Sequence, residues 1–429
     1  MQKGLTFHQA PPLAVPLSFF LTAPCFAMIA AALLFWVGPE ALQSRWSPHT
    51  LALTHLVTLG FMAMTMIGAL AQLLPVVAGS PLPLVVASTA TAYVGLTLGT
   101  ALLATGLWQS SGDLLRAAVP ALGLGFGAFL GAAGYSVYRS QTGSAVVSAI
   151  RLALIALFVT VILGATLATA LAWGLTLPMV QLTNMHATWG LLGWVALLVM
   201  GVSFQVVPMF QATPAYPDPW ARWLPRLLFA GVALGATAGA LSEASRSWAD
   251  IPAMLALSGF ALLTLRLQSQ RRRRQSDTLL WFWRIAALCL IAAAILWSSS
   301  QLWPQYGQEN TYPLLLGSLL IAGFAFATIN GMLYKIVPFL LWFRLQSGRQ
   351  EHRPLPNLKE ILPDRTVQGQ FWSYCLAFAL LVGAVFRPDI LARPAGLAFV
   401  VCSGWLWFNL MTAWTRTRKG WERPATSSC

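Results

Sequence analysis

Residues Met185–Pro208 read MHATWGLLGWVALLVMGVSFQVVP, an apolar run long enough to cross a bilayer that opens on Met-His and closes on Gln-Val-Val-Pro. Counting back from Pro208, Gln205 lies three residues before it, Gly201 seven and Gly193 fifteen. The same offsets from Pro75 give Gln72, Gly68 and Gly60, and from Pro338 they give Lys335, Gly331 and Gly323. One pattern, G-x7-G-x3-[Q/K]-x2-P, therefore occurs three times, with prolines 133 and 130 residues apart. A motif recurring at a near-constant interval marks internal repetition and takes precedence over any local reading.

The surrounding composition sets the solvent. The chain has 429 residues, 57% apolar and 9% charged, and its mean hydropathy is +0.68. Soluble domains carry about a quarter charged residues, so a polytopic membrane protein is expected. A net charge of +14 would suggest nucleic acid in a soluble protein. Here the basic residues fall in loops and tails, where topology and anionic lipid account for them. Arg271–Arg274 stand beside a span with no aromatic-rich soluble module, so membrane lipid is the expected partner and nucleic acid is not. The five cysteines are scattered without C-x-x-C spacing, which supports neither a disulfide framework nor a thiolate metal site. The N-terminal segment MQKGLTFHQAPP runs into a long span without a small-residue cleavage site and reads as retained.

Apolar runs predict twelve transmembrane helices, at about 16–37, 51–76, 82–106, 114–137, 149–173, 185–210, 223–242, 250–268, 279–300, 312–342, 370–387 and 393–414. The repeated stretches are then the second, sixth and tenth. The fold class is all-α polytopic, built as three pseudo-threefold four-helix repeats over 1–140, 141–274 and 275–429. Small residues let helices approach closely, so the Gly68, Gly201 and Gly331 faces are expected to meet in an inner ring. Of the 26 Lys and Arg, 20 fall in the N-terminus, the C-terminal tail and the loops after even-numbered helices, while five lie on the other side. The positive-inside rule places both termini in the cytoplasm of a bacterial-type inner membrane. His55 and His186 then lie near the outer face.

Few residues can carry chemistry in such a chain. His8, His49 and His352 fall in tails or loops, whereas His55 and His186 open the first two repeated helices. Ionisable groups within a membrane are costly and point to function. His55 lies twenty residues before its proline and His186 twenty-two before its own. Two residues turn a helix by ~200°, so on superposed repeats the rings point to opposite sides, and on adjacent inner helices they face each other. That arrangement suits axial ligation of a heme. The third helix has Leu316 and Ser318 at those offsets and carries no ligand. Thioether and imidazole ligands also suit Cu(I), so Met62, Met64, Met66, Met185, Met200 and Met209 raise copper as an alternative. Methionines two apart cannot share one helical face, however, and Met commonly fills packing gaps. Lys335 is expected to snorkel to the interface, and Gln72 and Gln205 to tie inner helix ends together or bond carbonyls freed by the prolines.

Twelve helices in three arcs, with histidines on the repeated ones, resemble subunit I of the heme-copper oxidases. Thr54-His55 through Pro75, and His186 with Leu192-Gly193-Trp194 through Pro208, are similar to that family's tenth helix, H-x-H…L-G-W…G…Y-x-x-P. The nitric-oxide-related NnrS family of heme membrane proteins is similar in size and outline. The resemblance implies a bis-histidine heme b site, moved by one repeat into the pore between the second and sixth helices, with His55 and His186 as iron ligands. Arg387, Arg393 and His49 fall on the same side and are the candidate partners of its propionates, which need cationic or hydrogen-bonding groups.

The departures limit what the resemblance implies. The tenth and seventh spans hold no histidine and none neighbours His186, so the family's copper-heme binuclear centre cannot be assembled in the family's manner. The spans lack a membrane-embedded Asp or Glu to carry protons, since Asp113, Glu243 and Asp250 lie at span ends or in loops. Oxygen reduction with pumping is therefore not expected. What remains is a heme-binding membrane protein for electron transfer or for response to nitric oxide or another gas, served by an electron-transfer or oxidase-related partner. The alternative is a non-redox transporter or assembly factor that handles copper or heme.

Overall fold

Hydrocarbon offers no partner to a backbone N–H or C=O, and a chain this apolar meets the demand with helices. This computed structural model describes residues 11–241, 248–272, 277–347 and 355–418, and among them there is no strand. The long helices are α1 (Ala14–Val37), α2 (Pro48–Ala78), α3 (Val85–Trp108), α4 (Gly112–Arg139), α5 (Ala145–Trp173), α6 (Met179–Gln211) and α7 (Asp218–Leu241). They are followed by α8 (Ile251–Ser269), α9 (Thr278–Leu302), α10 (Thr311–Ser347), α11 (Asp364–Phe386) and α12 (Pro388–Arg418). Eleven of these, all but α7, are long and apolar enough to cross a membrane. Helix α7 stands where the seventh span is expected, and its first turns carry Asp218, Arg222 and Arg226. Helix α6 begins at Met179, six residues before the apolar run from 185. Both His55 and His186 are consequently the eighth residue of their helices. His8, His352, Arg273 and Arg274 lie outside the described residues.

The helices close into a ring, with α4 packed on α5, α8 on α9, and α12 back on α1. The repeated glycines do not meet one another in an inner ring, which corrects the expectation from the sequence; each faces the helix immediately before its own. A Cβ on Gly68 would lie 2.6 Å from Phe19 Cβ of α1, one on Gly201 2.5 Å from Ala149 Cβ of α5, and one on Gly331 2.9 Å from Phe282 Cβ of α9. Eight residues earlier, Gly60, Gly193 and Gly323 meet Phe26, Ala156 and Cys289, each seven residues beyond the first partner. Glycine is needed at these six positions because a neighbouring helix occupies the space of the side chain.

A second feature recurs in the same three helices. Leu56–Ala63, Trp189–Ala196 and Ser318–Phe326 are π-helical, and each segment ends twelve residues before its proline. The N–H of Met64 reaches back five residues to Leu59 O, and that of Leu197 to Leu192 O. Such segments are rare and concentrate at functional sites. In α10, Tyr374 of α11 supports the segment by donating its hydroxyl to Ala322 O at 2.9 Å. Nearer the prolines, residues of α2, α6 and α10 surround a small central cavity that Gln72 and Gln205 also line. Lys335 runs to the N-terminal end of α9. Its Nζ lies 2.6 Å from Asp277 Oδ2, with the two side chains 28% and 22% exposed. Asp277 also caps α9 by accepting from Leu279 N, so the charge is paired where a free ammonium would be costly.

Candidate functional site

The site begins with two helix-borne rings. His55 ends the α-helical first turns of α2, where its Nδ1 lies 2.8 Å from Leu51 O, one turn back. His186 Nδ1 lies 3.1 Å from Thr160 O on α5. A carbonyl only accepts, so in both rings Nδ1 carries the proton and donates it. Each neutral ring then keeps the lone pair of Nε2. This is the tautomer of a metal ligand whose other nitrogen is fixed by a backbone acceptor.

The two rings belong to neighbouring helices and lie together, their centroids 6.2 Å apart and their planes 19° from parallel. That distance lies within the 4.5–7 Å of offset aromatic pairs. It also leaves room for one ion between two imidazoles that would each hold it through one nitrogen, with bonds of about 2 Å. Helix α5 makes room for this placement. A Cβ on Gly164 would lie 2.9 Å from His186 Cε1, so only glycine lets the ring rest against the α5 backbone and reach Thr160 O.

Both rings line a cavity of about 1250 Å³, which Arg45, Trp46, Asn184 and Gly164 also border. Arg45 Nη1 donates to Asn184 Oδ1 at 2.8 Å, and its guanidinium lies 4.4 Å from the Trp46 ring centre. The connection before α2 is thereby tied to the turn of α6 that carries His186, with a cation at the border of the histidine cavity. Among the described residues no three His, Cys, Asp or Glu are grouped to hold a metal. A bare structural ion asks for about four protein ligands, whereas heme brings four nitrogens of its own and asks for two. The donor set fits heme.

The other residues expected at the site fall elsewhere. Arg387 pairs with Asp389 at 3.2 Å, both well exposed. Arg393 packs its guanidinium against Gly38 at the end of α1. His49 Nδ1 lies 3.5 Å from Ser47 Oγ. None of the three lines the histidine cavity. Met62, Met64 and Met200 are fully buried in the core, Met66 and Met209 line the small central cavity, and Met185 packs on the core next to His186. Arg45, Asn184, Thr160 and Gly164 escape a reading of the sequence. Arg45 shows there only as one of the minority arginines, and Gly164 lies in a uniformly apolar run. The chain matches no family model and no curated protein.

Proposed function

We propose that this protein binds heme b in the membrane, with His55 and His186 as the residues that would hold its iron. The observation that carries the reading is the ring pair itself, 6.2 Å apart with both Nδ1 atoms committed to carbonyls. The protein fixes the tautomer of each ring, presses His186 against α5 through Gly164, and sets the Arg45 cation in the same cavity for a propionate. When bound, heme supplies one-electron chemistry. With both histidines holding it, the heme would serve electron transfer with a membrane or soluble partner rather than gas binding.

The wider reading is a chain of twelve spans in three four-helix blocks, related to subunit I of the heme-copper oxidases and to the NnrS type but without a copper-heme centre. Three features support it: matched glycine partners, matched π segments, and ring closure of α12 on α1. The excess of Lys and Arg on one side supports cytoplasmic termini in a bacterial-type inner membrane.

The test replaces His55 and His186 singly by alanine and records heme content and reduced-minus-oxidised spectra of purified protein. Each variant is expected to lose the six-coordinate signature and most of its heme. Full occupancy with unchanged bands in both variants would remove the proposal.

A further inference from the structure

The small central cavity lies between α2, α6 and α10 and measures about 180 Å³. Apart from Trp283, its wall comes wholly from those three helices, at matching distances from Pro75, Pro208 and Pro338. Ala69, Val202 and Met332 stand six residues before their prolines, and Leu73, Val206 and Ile336 two before. Lining positions at ten, nine, six and two residues before each proline and one after it form a single helical stripe. Each helix therefore turns one apolar face to the cavity.

The polar groups of this wall are few and mostly occupied. Thr65 and Thr328 bring its hydroxyls, and these donate to Phe61 O at 2.7 Å and Phe324 O at 2.9 Å within their own helices. The Trp283 indole N–H has no acceptor, but it is fully shielded and opens onto no water-sized space. Gln72 and Gln205 sit three residues before their prolines, at one end. The cavity is open at the end where Met209 is exposed, but a held water needs two to four polar partners, which the wall inward of Gln72 and Gln205 does not offer, and apolar cavities of about 150 Å³ take up xenon or benzene.

We infer that this cavity is a binding site for one small apolar molecule, of a size between xenon and benzene, drawn from solutes that partition into the bilayer. It is too small for heme, and none of its wall residues borders the histidine cavity. The inference therefore stands whether or not His55 and His186 bind iron.

Xenon is the probe. Crystals of the full chain held under xenon gas are expected to show one anomalous peak between the level of Ala69, Val202 and Met332 and that of Leu73, Val206 and Ile336. Ala69→Phe places a ring in the cavity and is expected to abolish the peak, with Val202→Phe as the second filling variant. The wild-type map decides the matter even where a variant fails to fold. A cavity without xenon, one filled by ordered water, or one occupied by a lipid chain would overturn the inference. So would a peak that persists unchanged in a folded filling variant.

Discussion

A side chain at position 164 would collide with the His186 ring, because a Cβ there would lie 2.9 Å from Cε1. Nothing else in α5 fixes the imidazole as tightly, since its one hydrogen bond there runs to Thr160 O. Gly164→Val is expected to push the ring off that carbonyl and cut heme retention about tenfold or more, a cost of ~1.4 kcal/mol for each tenfold loss. Gly164→Ala should shift the bands and lose less heme. Heme-to-protein ratios of the two purified variants check the order. The sequence shows both histidines and their mismatch of two residues, which is why the pair could be expected. It does not show Gly164 or Arg45, because their roles depend on which helix lies opposite. The same limit hid Asp277 as the partner of Lys335, 58 residues away along the chain.

At the level of whole helices, the repeated glycines show how far a spacing can be read. Their periodicity states that one stripe of α2, α6 and α10 must stay small, and the structure agrees. It does not state which neighbour fills the space, and the occupant is α1, α5 or α9 rather than another inner helix. Gly201→Leu would drive a side chain into Ala149, whereas nothing lies within 4 Å of a Cβ on Gly123 of α4. Overpacking costs about 1–3 kcal/mol, so Gly201→Leu should lower thermal stability in detergent clearly and Gly123→Leu scarcely at all. Equal melting curves for the two would remove the close-packing account. The π segments were not legible for a specific reason. An extra residue present in all three copies cancels when the copies are compared with one another, so the offsets from the prolines look unbroken.

For the molecule as a whole, charge carries the argument. With 20 basic residues assigned to one side and five to the other, reporter fusions at both termini should read cytoplasmic, and fusions after α1 and α3 should read external. A terminus that reads external would reverse the orientation and put the histidine pair near the cytoplasm. The helical class and the places of eleven long apolar helices were legible because hydrocarbon leaves the backbone little choice. The cavities were not, since they are volumes left between helices and no single residue encodes them.

The π segments bear on both cavities at once. Each sits between the end of its helix that borders the histidine cavity and the end that holds the central one, and each amounts to an α-helix carrying one residue in surplus. Removing that surplus residue lets the segment revert to α geometry while its two flanks keep nearly the same mutual orientation, whereas a residue taken from a regular α-helical turn shortens the helix by 1.5 Å and turns one end against the other by ~100°. Deleting Leu59 should thus leave His55 facing His186 and spare heme binding, whereas deleting Ile67 from the α-helical turns beyond the segment should swing the ring away and abolish it. Deleting Leu320 from α10, which has no histidine, should also spare it. A wide turn of this kind works as a slack loop in a taut line, taking up an added residue so that neither the aim of a ligand at one end nor the packing at the other is disturbed.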